Sequence, residues 1–371
     1  IPKRDWSSDV CSSDLSMQER ITRPPAKTGK LRTGEKGRVP GGVAIAALAV
    51  LLLAVIIASF LLGRYPVPPK ELFGILLSKI FPITQFWTDN MEAAVWNIRL
   101  PRIILAGLVG ICLCAAGGAY QGVFQNPMAS PDILGASAGA GFGAALALYA
   151  GLPSLAVTFS AFTMSLLTVA LMFRVSKRAK GDRVLGLVLS GIMISSLFQA
   201  GTSFIKLVAD PTNKLPAITY WLMGSLAGTT SAEVRFVIWP MLLGLVPLLL
   251  LRWRLNVLTM GDDEARAIGV DANRVRLAVI ICATLVTAAA VSVSGMIQWV
   301  GLIVPHMMRR IVGSDYRRLM PATMLGGGIF MLIVDNISRN LLASEIPIGI
   351  LTAFVGAPLF LWLISGRREV Y

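Results

Sequence analysis

One histidine, four cysteines and a charged fraction of 15% leave this 371-residue chain short of the groups that do chemistry in soluble enzymes. Cys112 and Cys114 stand two apart on an expected helix, so they point to different sides. Neither they nor Cys282 has a metal-ligand partner close in sequence, and they read as small apolar filler. The lone histidine, His306, follows Pro305 with no acid or cysteine nearby, which fits a structural hydrogen bond at a broken helix. No nucleophile–base pair, paired carboxylates or metal-ligand spacing is found, and no GxxxxGKS/T phosphate loop is present. Residues Gly139 to Ala144 match the glycine spacing of a dinucleotide fingerprint, but no strand precedes them and no acid follows at the needed distance. These absences argue against an enzyme and against a bound metal or cofactor. The net charge of +14 forms no single basic face with interleaved aromatics, which argues against nucleic acid as a partner.

What the chain has in abundance is apolar length. It is 55% apolar with a mean hydropathy of +0.70, against about 45–50% apolar and 25% charged in soluble domains. The charges are clumped, leaving windows of roughly 18–22 residues, the length that crosses the hydrocarbon core as a helix. The alternation of an outer-membrane barrel is absent. The expected fold is all-α, a polytopic membrane protein with about ten transmembrane helices. The spans are expected near 41–63, 101–124, 133–151, 154–174, 184–206, 233–252, 276–295, 299–312, 322–341 and 347–365, the boundary around 295–313 being the least sharply marked. The first run is too long for a signal-peptide core. Residues 64–98, mixed and rich in proline and aromatics, suit an external loop with a short amphipathic piece.

An even number of spans puts both termini on one side. With the N-terminal tail, Arg174–Arg183, Arg252–Arg276, Arg309–Arg318 and the C-terminal pair Arg367 and Arg368 inside, 25 of the 34 basic residues are cytoplasmic. That asymmetry sets the orientation, in the membrane whose lipid surrounds the spans. Residues 1–15 are set aside, because DWSSDVCSSDL matches the translation of a common sequencing adapter; Cys11 is then not native and the native start lies near Ser16 or Met17. Residues 16–40 are polar and basic and read as a disordered cytoplasmic tail. The apolar transmembrane body spans 41–367, followed by a short tail at 368–371.

The cytoplasmic stretch GDDEARAIGV, residues 261–270, stands out in so apolar a chain. Asp and Arg at mid-bilayer would cost roughly 2.5–3.5 kcal/mol each, so the segment lies outside the hydrocarbon. Asp262, Asp263 and Glu264 favour a helix N-terminus, Ala265, Ala267 and Ile268 supply propensity and an apolar face, and Gly269 is a plausible stop. The spacing predicts one short helix, two turns at most, within about 261–269. With Arg266 it has the form that docks into a partner's groove, although a solvated connector would also carry such a cluster.

Elsewhere, Ser130-Pro131-Asp132 predicts a helix start with Ser as N-cap and Pro at its first position. Gly135, Gly139 and Gly143 then recur every four residues, a smooth face for close packing in a membrane. Arg99, Arg102 and Arg339 fall outside, against the charge rule, which points to an anionic partner; for Arg339 an i,i+4 pair with Asp335 is equally open. Asp335 is also the one clear candidate for the intramembrane acid that an ion-coupled secondary transporter would need.

GDDEARAIGV resembles the coupling segment of ABC importer permeases. So do WNIRLPR (96–102), QNPMASPDILGASAGAGFGA (125–144), SGMIQWVGLIVPHMMRRIVGSDYRRLMP (294–321) and VDNISRN with EIPIGILTAFVGAPLFLWLI (334–364) resemble motifs of the FecCD-like permeases for iron-siderophores, haem and vitamin B12. The family usually has glutamates where Asp262 and Asp263 stand. The resemblance implies a type II importer permease that lacks a nucleotide site. It would pair with a second permease subunit, identical or different, with two ATP-binding subunits that hold ATP and Mg, and with an extracytoplasmic substrate-binding protein. It further implies that residues 261–269 engage the ATPase, that Arg99, Arg102 and Arg339 receive glutamates of the binding protein, and that Asn126, Pro127 and the following glycines lie near the cytoplasmic mouth of the path. The implied cargo is an iron-siderophore or related metal chelate, and the implied location is the bacterial inner membrane.

Overall fold

The computed structural model describes residues 41–178 and 183–365. The expected tail at 1–40, most of the basic run after Arg178, and the C-terminal arginines lie outside the described residues. No strand occurs among the described residues. Among the described residues, seven helices are long and apolar enough to cross a membrane. They are α1 (Gly41–Leu61), α3 (Asp89–Val123), α5 (Ser154–Ser176), α6 (Arg183–Val208), α8 (Ser231–Leu250), α11 (Ala272–Ser294) and α13 (Tyr316–Asn340). The other three expected spans are shorter or less regular helices: α4 (Ala136–Tyr149), α12 (Val300–Val312) and α14 (Ile348–Ser365). At about 1.5 Å per residue, α4 and α12 measure roughly 20 Å, less than the roughly 30 Å hydrocarbon core. Three short helices, α2 (Pro69–Leu77), α7 (Lys214–Leu222) and α9 (Arg252–Met260), each follow a span. A six-residue helix, α10 (Asp262–Ala267), joins α9 to α11.

The starts of these helices are chemically marked. Thr230 caps α8 through a box in which its side chain accepts from Glu233 N–H and the Glu233 carboxylate accepts from Thr230 N–H. Asp271 caps α11 and Asp315 caps α13, each carboxylate accepting a backbone N–H of the first turn. Thr88 caps α3 in the same way. That cap lies well before the expected start at 101. The helix runs back to Asp89, and residues Ala94–Arg99 adopt the wide π form just before Pro101, which has no N–H to give to the ladder. The mixed composition of 89–100 hid this extension.

α3 is the centre of the bundle, buried along almost its whole length from Pro101 to Val123. It packs against α1, α11, α12 and α13. Gly110 faces Gly327 of α13 so closely that a Cβ at position 110 would lie 2.6 Å from the Met331 Cβ. Without a hydrophobic drive between helices inside a bilayer, such close backbone approach is what holds spans together. α1 is the opposite case, apolar all round and mostly exposed, as a helix on the lipid face is.

Ser130-Pro131-Asp132 does not start one long helix. Pro131–Leu134 form a 3₁₀ turn, Ser130 makes no side-chain cap bond, and Gly135 takes a left-handed φ of 83° before α4 begins at Ala136. Only glycine adopts that φ at little cost. Asp132 instead accepts a hydrogen bond from the Ser137 hydroxyl across the break.

Candidate functional site

α10 occupies the expected place and ends as expected. The Gly269 N–H donates to the Arg266 carbonyl at 3.0 Å and the Val270 N–H to the Ala265 carbonyl at 2.9 Å. With Gly269 at φ 78°, this is the paired-bond stop that closes helices on a left-handed glycine. At the other end Gly261 sits at φ 124°. Ala265 is fully buried, and Asp263, Glu264, Arg266, Ala267 and Ile268 are exposed. Met260, just before the helix, is exposed as well. The exposed face therefore joins two acids to Met260, Ala267 and Ile268, and Arg266 lies 3.4 Å from Asp263.

Asp262 departs from the expected set. It faces back into the chain, its Oδ1 2.7 Å from the Nη2 of Arg276, one turn into α11. Sequence reasoning missed Arg276; the signal available was an arginine inside an otherwise apolar span. A second missed bridge lies nearby. The Asn256 side chain of α9 donates to Asp315 at 2.6 Å and accepts the Tyr316 N–H at 2.7 Å, pinning α9 to the start of α13. Burial opposes ionisation of Asp315, but the Arg317 N–H, the Asn256 amide and the charges of Arg317 and Arg318 outweigh it, so the carboxyl is held below the usual range.

Asn126 and Pro127 belong to a turn at the same end of the bundle. Asn126 Oδ1 accepts from the Met128 N–H at 2.8 Å, and neighbouring Gln125, at φ 49°, donates to the Leu258 carbonyl of α9 at 2.7 Å. Gly139 and Gly143 face α5: a Cβ on either would lie within 2.8 Å of Met164 atoms. Gly135 points elsewhere, toward Ser195 of α6, with 2.7 Å between its would-be Cβ and the hydroxyl. The three glycines thus split between a packing face and a chain break.

Arg99, Arg102 and Arg339 are brought together at the opposite end, but they are not displayed. All three are buried. Arg102 is forked between Asp335 and Glu345, with Nε–Oδ1, Nη1–Oε1 and both Nη2 contacts at 2.9 Å. Arg339 pairs with Asp335 at 3.2 Å, four residues back on α13. Arg99 donates to the carbonyls of Phe60 and Tyr65. Each of these guanidiniums is held by carboxylates or carbonyls of its own chain, and the i,i+4 pair of Arg339 with Asp335 is among them, since an unpaired buried charge would be costly. Glu345, 243 positions from Arg102 in number, had no sequence signal.

A cavity of about 580 Å³ opens beside α14. Its walls include Leu222, Met296, Gln298, Ala353 and Phe354, with no ionisable side chain among the lining residues. Among the described residues no cluster of His, Cys, Asp and Glu could hold a metal ion.

The bundle of membrane-crossing helices with a short acidic and apolar helix between two spans is, by the matches that follow, that of a membrane-spanning permease subunit of an ABC importer. The model of the FecCD transport family matches residues 51–366, and the chain belongs to that family. It is 40% identical over 314 residues to the molybdate import system permease protein MolB of Haemophilus influenzae, covering 84% of this chain and 92% of that protein. It is 34% identical over 345 residues to the hemin transport system permease protein HmuU of Yersinia pestis, covering 90% and 98%. A solved inward-facing conformation of a metal-chelate type ABC transporter matches with a TM-score of 0.78 at 37% identity, over 88% of this chain and all of that one. The protein is accordingly a multi-pass inner-membrane protein, of a family whose permeases lack a catalytic site of their own and work with a second permease, ATPases and a binding protein.

Proposed function

We propose that this chain forms the translocation path of an ATP-driven importer for an iron-siderophore or related metal chelate. It does so as one half of a permease dimer, with both termini and α10 on the cytoplasmic side. Two ATPase subunits, holding ATP and Mg, grip α10 from below, and an extracytoplasmic binding protein delivers cargo above. The carrying observation is the exposed Asp263, Glu264 and Ile268 face of a helix held out from the bundle. Acids flanking a small apolar surface suit a groove with basic walls. Asn126 and Pro127 lie on the same side, at the mouth of the path. The cavity beside α14 supports the path, as a site for a bulky cargo needs room and few charges. For docking of the binding protein, the end bearing Arg99, Arg102 and Arg339 is the receiving side, its buried arginines fixing the loops that the partner meets. Asp335 is buried and held by two arginines, a structural pairing that disfavours the alternative of an ion-coupled secondary transporter.

The test is Asp263→Lys combined with Glu264→Lys. Loss of ATPase co-purification and of ATP-dependent uptake is expected; normal co-purification and uptake would refute the reading. Cargo is decided by uptake into proteoliposomes of a labelled panel of ferric siderophores, hemin, cobalamin and molybdate, with a ferric siderophore expected to be carried fastest.

A further inference from the structure

α10 is attached to the bundle by little. Its six residues are bracketed by Gly261 at φ 124° and Gly269 at φ 78°. The main chain therefore enters and leaves through the two residues least able to transmit a torque. Only Ala265 of the helix is buried. The side-chain tie is Asp262 to Arg276, with contacts of 2.7 Å and 3.4 Å. Arg276 is fixed inside α11, its side chain 7% exposed, and Asp262 is the one carboxylate within ion-pair distance of it among the described residues. From Arg276, α11 runs as one unbroken helix to Ser294. Just beyond that end stand Met296 and Gln298, which line the cavity beside α14.

Resting on the proposed role of α10 as the ATPase handle, we infer that the Asp262–Arg276 pair is the link that carries α10 displacement into α11 and so to the Met296–Gln298 edge of the cavity. Two acids of the cluster then face the partner while the first faces home. Asp262 is a positioning residue, not a docking contact. A charge-assisted pair whose arginine is buried and whose carboxylate is partly covered is suited to this, because it holds better than a fully exposed pair does.

The test uses the full permease–ATPase complex in nanodiscs, with spin labels at Gln298→Cys and Ala353→Cys and a non-hydrolysed ATP analogue with Mg as the probe. In the otherwise unaltered protein the analogue shifts the label-to-label distance. In Asp262→Asn the ATPase should still co-purify, while the shift falls at least fivefold. The exchanged pair, Asp262→Arg with Arg276→Asp, should restore it, which a merely structural defect would not. A full shift in Asp262→Asn overturns the inference. So does loss of the ATPase in that variant, which would make Asp262 a docking contact. Should Asp262→Asn fail to assemble, the exchanged pair alone decides: an assembled complex without the shift overturns it. Retention of the ATPase by the Asp263→Lys, Glu264→Lys variant is a separate result, and it strikes the handle itself.

Discussion

Neutralising Asp335 tests whether the arginines at the end away from α10 hold the protein together. Asp335 is fully buried and contacts Arg102 at 2.9 Å and Arg339 at 3.2 Å. Asp335→Asn keeps the shape and removes the charge. Arg102 retains Glu345, whereas Arg339 is left with no carboxylate within ion-pair distance among the described residues. Removing one partner of such a buried set costs roughly 3–5 kcal/mol, because a desolvated charge is left uncompensated. With average unfolding entropies, a body of this size should lose about 4–7 °C in its thermal midpoint. The assay is tryptophan fluorescence of detergent-purified protein at one fixed heating rate. Glu345→Gln is the control: its carboxylate is 24% exposed, so water can replace part of what is lost and the fall should be smaller. An unchanged midpoint in Asp335→Asn would refute the reasoning and return these arginines to the role of free docking groups.

Three further outcomes follow from the same geometry. Gly143→Val should lower the midpoint and the folded yield by size-exclusion chromatography, at a cost of about 1–3 kcal/mol or more, since its Cβ alone would lie 2.8 Å from the Met164 Cβ. Gly269→Ala should cost about 1 kcal/mol locally by straining the φ of 78°, read as faster amide exchange across 262–268 with the global midpoint little changed. The Asp315 carboxyl is held below the usual range, so the stability it contributes is present above its unfolded value, about 3.9, and is lost as pH falls through its lower folded value. Asp315→Asn should therefore flatten the loss of midpoint below about pH 4 relative to the unaltered chain.

Much of this architecture was legible because a bilayer constrains a chain so strongly. The long uncharged runs announced the spans, and GDDEARAIGV announced α10 down to its glycine stop. What escaped notice depended on distance in the chain or on a local choice that composition does not record. Asp262 looked like its two acidic neighbours, and only the position of Arg276 fourteen residues later turns it inward. Glu345 and Arg102 carry no mark of each other. Gly135 fitted the four-residue glycine rhythm, yet its neighbours use it to break the helix. Residues 89–100 looked like loop because their polar and aromatic side chains hide a helix that is capped at Thr88. Arg99, Arg102 and Arg339 meet at one end of the bundle, and their burial was out of reach of the sequence, since it rests on carbonyls and carboxylates scattered over 280 positions.

The break between α11 and α12 has its own corollary. Around Gly295 and Trp299, at φ 67° and 72°, peptide groups leave the helical ladder beside the cavity. Irregular backbone at such depth is tolerated where protein covers it or water reaches it. A cavity edged with peptide dipoles and the Gln298 amide, rather than with ions, offers both a partial positive and a partial negative pole to whatever enters it. On the proposed reading of this cavity as part of the path, such an edge would discriminate little by the sign of a cargo's charge.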